Sequence, residues 1–308
     1  MRYRDHLPQL DDGRLFLTDG GIETVLIFHE GLELPLFAAF DLLKDEAGAE
    51  MLRRYYAPFV SEAASRGLGF VAESPTWRAS PRWARELGYS AEQLDGFNRR
   101  AIALMEELRA DHPLVVISGC IGPSDDGYNP AERFSADAAE AYHATQIATF
   151  ADTAADMVSA ITMTYAEEAI GITRAAVAVG LPVAISFTVE TDGRLPSGQS
   201  LAKALAQVDR ETDAGPAYYM INCAHPTHFE TVLGDELVRT RVRGVRANAS
   251  ALSHAELDEA TELDEGDPAD LASRYSALTA QLPNLTVLGG CCGTDQRHVA
   301  AIAAAVND

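Results

Sequence analysis

The sequence predicts an α/β fold, a single (β/α)8 TIM barrel spanning residues 1–308, and three observations carry that reading. Apolar, β-branched runs recur eight times, segments with helical spacing fill the gaps between them, and no stretch rich in Pro, Gly or Ser divides the chain. At 308 residues and 47% hydrophobic content the chain can hold one large core, since such a barrel commonly takes about 250 residues.

The runs lie at 15–19, 69–73, 114–120, 157–163, 183–189, 217–223, 242–248 and 285–290. They are apolar almost throughout instead of alternating, the pattern of parallel strands covered on both faces. Helical periodicity at 50–66, 90–111, 136–155, 167–179 and 200–212 supplies crossovers, each followed by Gly or Pro near the next strand. An open doubly wound sheet shows the same alternation, but eight units without a shift in composition favour closure. No repeat is visible beyond the βα alternation itself.

Charge removes several function classes. Twenty-four basic against 46 acidic side chains give −22, which repels nucleic acid and anionic lipid. The acidity is densest at 256–270, expected as a solvated helix-and-loop surface because it lacks the glycine-punctuated spacing of a calcium loop. No stretch approaches the roughly 20 apolar residues of a membrane span, and the N-terminus lacks the apolar core of a secretion signal. The cytoplasm is the expected compartment, and a homo-oligomer is compatible with the sequence.

Active sites in this fold sit where strands end. The polar residues expected there include Asp19, Gly20, Gly21, Glu23 and Thr24, then Glu73, Cys120, Thr162, Glu190, Asn222-Cys223, Asn248 and Gly290-Cys291-Cys292-Gly293-Thr294. All four cysteines fall on this face. Four cysteines do not make a disulfide framework, and in a reducing compartment they read as thiols or metal ligands.

Adjacent residues on a regular strand point to opposite faces, so Cys291 and Cys292 can share one ligand only if the flanking glycines relax the backbone. Cys223, two strands away, could reach the same point across the barrel mouth. Three thiolates and one open position form the pattern of a catalytic zinc site, and soft sulfur ligands argue against magnesium or calcium. Cys120 is expected as a small core residue. His225 and His228 are rival ligands close to Cys223, whereas His143 and Gln146, one turn apart, are expected as structural hydrogen-bonding groups.

A substrate thiol entering the fourth position would lose its proton and remain nucleophilic, so one Zn2+ suits alkylation of a small thiol by a methyl-onium donor. Trp77, Trp83 and Tyr128 lie near the same face, where packing under loops is the ordinary role and cradling a cationic donor the alternative. Zinc-assisted hydrolysis, with Glu190 as base, and non-catalytic zinc or thiol binding are the rival functions.

These residues resemble the homocysteine S-methyltransferase family, zinc barrels that include betaine–homocysteine methyltransferase, and the resemblance covers nearly the whole chain. Its strongest pieces are Gly289-Gly290-Cys291-Cys292-Gly293-Thr294 and Asn222-Cys223; Asp19-Gly20-Gly21, Glu23-Thr24, Gly122-Pro123, His143-x-x-Gln146 and Asn248 support it. The resemblance implies that Cys223, Cys291 and Cys292 carry the zinc in a homocysteine-binding barrel domain, serving methionine biosynthesis. It also implies that Gly20 and Gly21 offer amides to the substrate carboxylate and Asp19 meets its amino group. Glu23, Glu190 and Asn248 are further substrate-binding candidates.

One position departs from the pattern. The family has a glutamate at the end of strand four that binds the amino group of homocysteine, and counting from Asp156 places Ile161 there, with Glu167-Glu168-Ala169 keeping the register. An apolar side chain cannot pair with ammonium, and losing that partner costs roughly 2–5 kcal/mol. Either another acid, such as Glu190 or Glu73, takes over, or the acceptor lacks the amino group. With a single helix expected after the Cys-Cys pair, folate and cobalamin modules are not expected. S-methylmethionine, S-adenosylmethionine, betaine or a related methylsulfonium are therefore the expected donors.

Overall fold

Each apolar run becomes a buried parallel strand. The computed structural model describes residues 2–11, 13–112, 114–128 and 132–307. The strands are β1 (Phe16–Leu17), β2 (Gly69–Glu73), β3 (Val115–Ile121), β4 (Met157–Met163), β5 (Val183–Phe187), β6 (Tyr218–Asn222), β7 (Val242–Ala247) and β8 (Val287–Gly290). They pair in chain order, and Phe16 opposite Val287 closes the barrel. The helices that follow them are α1 (Glu46–Ser65), α2 (Ala91–Asp111), α3 (Ala136–Ala151), α4 (Ala166–Ala178), α5 (Leu201–Thr212), α6 (Glu236–Arg241), α7 (Pro268–Gln281) and α8 (Gln296–Asn307).

Local chemistry sets the helix ends. Asp45 accepts from the Gly48 amide, Ser90 and Gln93 form a reciprocal capping box, and Ser135 accepts from Ala138. The acidic stretch forms the short helix His254–Glu259 and an exposed loop, as its composition implied. Among the described residues no helix is long and apolar enough to cross a membrane.

Two apolar layers hold the fold. One lies between strands and helices. The other fills the barrel with Phe16, Val71, Val116, Cys120, Met157, Ile161, Tyr218, Met220 and Val287, so the interior is packed. Cys120 is a core residue, as expected. Beneath it, Asp156 accepts from the backbone amides of Arg2, Tyr3 and Ile117 and pairs with Arg109, tying the N-terminal segment to the barrel floor. Asp156→Ala takes the carboxylate from those donors and from a largely buried guanidinium, with an expected loss of about 3–5 kcal/mol in urea unfolding. A loss below about 1 kcal/mol would show that the floor is not held by this carboxylate.

Candidate metal centre

The ends of β6 and β8 bring three sulfurs together. One ligand atom each from Cys223, Cys291 and Cys292 lies within 4.8 Å of the others. Backbone geometry differs from what the sequence suggested. Cys223 itself takes a left-handed conformation, φ 52°, turning its side chain inward, and Gly293 does the same after the pair at φ 77°. Gly290 serves by being small, because a Cβ there would strike the Thr294 hydroxyl. The Cys291 amide donates to Ala247 at 2.8 Å and the Cys292 carbonyl accepts from Ala249 at 3.0 Å, anchoring the pair to the end of β7.

Cys223 and Cys291, expected as separate thiols, are paired sulfur to sulfur with Cα atoms 5.4 Å apart, while Cys292 is free. The proximity a shared ion requires is also the proximity that lets two of the thiols pair. Around the sulfurs stand the Tyr128 hydroxyl, 3.8 Å from Cys292, the Thr162 hydroxyl, 3.9 Å from Cys223, and the Asn222 amide, 4.0 Å from Cys291. Asn222 is oriented by Thr162 and by Ser186, whose hydroxyl donates to Oδ1 at 2.6 Å.

His225 and His228 stand outside this cluster. His225 caps the short helix Pro226–Phe229, and His228 bonds the Ala251 carbonyl at 2.9 Å. A different histidine matters: His254 bonds the Cys223 carbonyl, meets Glu190 at 3.2 Å and stacks on Tyr128 with centroids 4.3 Å apart. Nothing in its Ser-His-Ala context marks His254 out in the sequence. His143 is a structural group, bonded to Glu168 at 3.0 Å, and Gln146 holds Thr76 and Asn98.

The strand-one turn is packed against the cysteine loop, since the Gly21 amide donates to Thr294 at 2.9 Å and a Cβ at Gly21 would collide with the Cys291 carbonyl. Asp19 is buried and already engaged by Arg246 at 2.7 Å and by the Tyr55 hydroxyl at 3.0 Å. Burial opposes the Arg246 charge, but Asp19 and Glu73 outweigh it and hold the guanidinium above its usual range. Burial pushes both Glu23 and Glu73 up to about 7. Glu73 lies beside Ser118 and Ser159 in the barrel interior, while Glu23 is partly exposed and acts on Cys292 and Tyr128 through its charge. Asn248 is buried with an unpartnered Oδ1.

Trp77 and Trp83 pack under the loop after β2, and their faces carry the protein's own cation: Arg78 lies 4.0 Å over Trp83 and 5.0 Å from Trp77. Arg78 and Arg246 were missed in the sequence reading, although an arginine inside the apolar run Val-Arg-Gly-Val-Arg-Ala is a signal that a buried anion awaits it.

Residues 16–306 match the family model for homocysteine S-methyltransferase. Among solved structures, the oxidised form of the Escherichia coli homocysteine methyltransferase MmuM aligns over 96% of this chain and 97% of its own, with a TM-score of 0.77 and 21% identity. Its metallated form gives 0.73 and 20% over the same shares. At that identity the likeness speaks for the barrel. No curated protein sequence matches the chain significantly. The family match runs through β1 to α8 and takes in both cysteine segments, and on it the chain belongs to the homocysteine S-methyltransferase family and is an S-methyltransferase.

Proposed function

We propose that the chain methylates the thiol of homocysteine from a small onium donor, S-methylmethionine, S-adenosylmethionine, betaine or a related methylsulfonium, with one zinc ion held by Cys223, Cys291 and Cys292. The observation that carries this is the three-sulfur cluster at the barrel mouth. Three thiolates at about 2.3 Å from one zinc stand roughly 3.8 Å apart, which the 4.8 Å cluster accommodates once the Cys223–Cys291 pair is reduced. When bound, zinc would take the substrate thiol at its fourth position and keep it deprotonated near neutral pH.

The chain's own residues do the rest. Tyr128, Thr162 and Asn222 orient the cysteine sulfurs, and such outer partners are typically worth 10–100-fold in metal affinity. Glu190 works through His254, which fixes the Cys223 carbonyl; that engagement argues against Glu190 as the base of a hydrolase. Gly20 and Gly21 let the strand-one turn lie flat on the cysteine loop, and Asn248 keeps an acceptor for the bound amino acid.

The test is to purify the chain under reductant, measure its zinc, and follow methionine formation from homocysteine with each donor. Activity that survives verified metal removal would overturn the reading. Pairing of Cys223 with Cys291 removes two of three ligands, so diamide treatment is expected to release the zinc and abolish turnover, and dithiothreitol with added zinc to restore both. Zinc retained after diamide would place the metal elsewhere.

A further inference from the structure

On the thiol-methylation reading above, the geometry points to a clamp for the zwitterionic head of the acceptor: Glu23 takes its ammonium group and Arg78 its carboxylate.

The apolar Ile161 lies two residues before the end of β4, packed with Cys120, Met157 and the flank of Trp77, so that position offers an ammonium group no charge. Three other acids at the mouth are committed or sealed off. Asp19 is held by Arg246 and Tyr55, Glu190 by His254, and Glu73 is 3% exposed at the level of Ser118 and Ser159, one inward-facing layer below Cys120 and Ile161. Glu23 differs from all three. It sits in the short helix Ile22–Thr24, between buried Ile22 and Thr24, and is itself partly exposed. Its turn is packed on the cysteine loop, the Gly293 amide donating to the Thr24 hydroxyl at 3.2 Å and the Gly21 amide to the Thr294 carbonyl at 2.9 Å.

Arg78 is the complement. It is clasped by Trp77 and Trp83, its side chain is 14% exposed, its Nε has no hydrogen-bond partner, and its ion pair with Asp126 is stretched to 4.0 Å. A guanidinium so enclosed is stabilised by an incoming anion. Glu23 and Arg78 feel each other's charge, yet among the described residues they form no ion pair with one another. Glu23 stands in the turn packed on the cysteine loop and Arg78 in the loop after β2, whose Trp77 meets Gly127 beside Thr162, and opposite charges left unpaired at one barrel mouth suit a ligand that carries both signs. In homocysteine three carbons separate the sulfur from the ammonium nitrogen, and the carboxylate shares the α-carbon.

The experiment is calorimetric binding, without donor, to the reduced zinc-loaded chain, using homocysteine, 4-mercaptobutyrate (no ammonium) and 3-mercaptopropylamine (no carboxylate). Glu23→Gln is expected to weaken homocysteine by about 30-fold or more while leaving 4-mercaptobutyrate within about threefold. Arg78→Gln is expected to weaken homocysteine similarly and to leave 3-mercaptopropylamine little changed. Glu23→Asp keeps the charge and should recover part of the loss; zinc content and melting temperature report folding for each variant. In turnover the loss should fall on KM more than on kcat. Equal losses on homocysteine and 4-mercaptobutyrate in Glu23→Gln would overturn the clamp, as would wild-type binding of 4-mercaptobutyrate as tight as that of homocysteine. If the wild type binds the thiols but methylates none, the methyl-transfer reading fails while the binding series still decides the clamp.

Discussion

Replacing Cys291 with Ala is expected to strip the zinc and cut methyl transfer by about a thousandfold or more. The metal's charge stabilisation is worth several kcal/mol, and each 1.4 kcal/mol is a factor of ten in rate. Only the sulfur is lost, because the Cys291 backbone stays tied to Ala247 and Thr294 and the fold should survive. Cys120→Ala is the control. Cys120 packs in the barrel interior, outside the three-sulfur cluster, so its removal should cost about 1 kcal/mol of stability and leave zinc content intact. Elemental analysis and turnover on the two variants check this, and equal zinc in Cys291→Ala and wild type would refute the ligand assignment.

Arg246→Met is expected to destabilise the chain by about 3–5 kcal/mol, a large part of the 5–15 kcal/mol of an ordinary domain. The guanidinium is 6% exposed and joins three barrel elements, donating to Asp19 at 2.7 Å, to the Gly290 carbonyl at 3.1 Å and to Gly20 at 3.2 Å. Without it Asp19 and Glu73 are buried with no compensating cation, and their folded-state pKa values rise further above the unfolded ones. A carboxyl group with a raised folded pKa contributes stability that is fully present below its unfolded value and is lost as pH rises through the folded one. Glu73 already reaches about 7 with Arg246 in place, so the variant should lose more stability at pH 8 than at pH 5.5. Urea unfolding at both pH values measures it; a loss under about 1 kcal/mol, unchanged with pH, would deny Arg246 this role.

The fold was largely legible because strand signals are local. The apolar runs at 69–73 and 157–163 coincide with β2 and β4, and the others differ by a residue or a few at their ends. The run at 15–19 shortens to Phe16–Leu17, although Thr18 and Asp19 still bond to β8, the Thr18 amide donating to Leu288 and the Gly290 amide to Asp19. The cysteine cluster was legible for the same reason: placing each sulfur at a strand end requires only the strand count. Less was visible of how the sulfurs converge, since Cys223 is left-handed where its amide donates to the Arg246 carbonyl and its own carbonyl is met by Thr188 and His254, partners far away in sequence.

From sequence alone come the barrel, the strand-end face where the three sulfurs meet, and the apolar residue near the end of the fourth strand. Tertiary structure alone decided which partners the charges at the mouth meet. Asp19 pairs with Arg246, 227 positions away, Glu190 meets His254, and Arg78 lies over the faces of tryptophans whose expected role was packing. The physical reason is one of range. Periodicity and turn chemistry are written in neighbouring residues, whereas the availability of a charge at the mouth depends on partners delivered by distant strands.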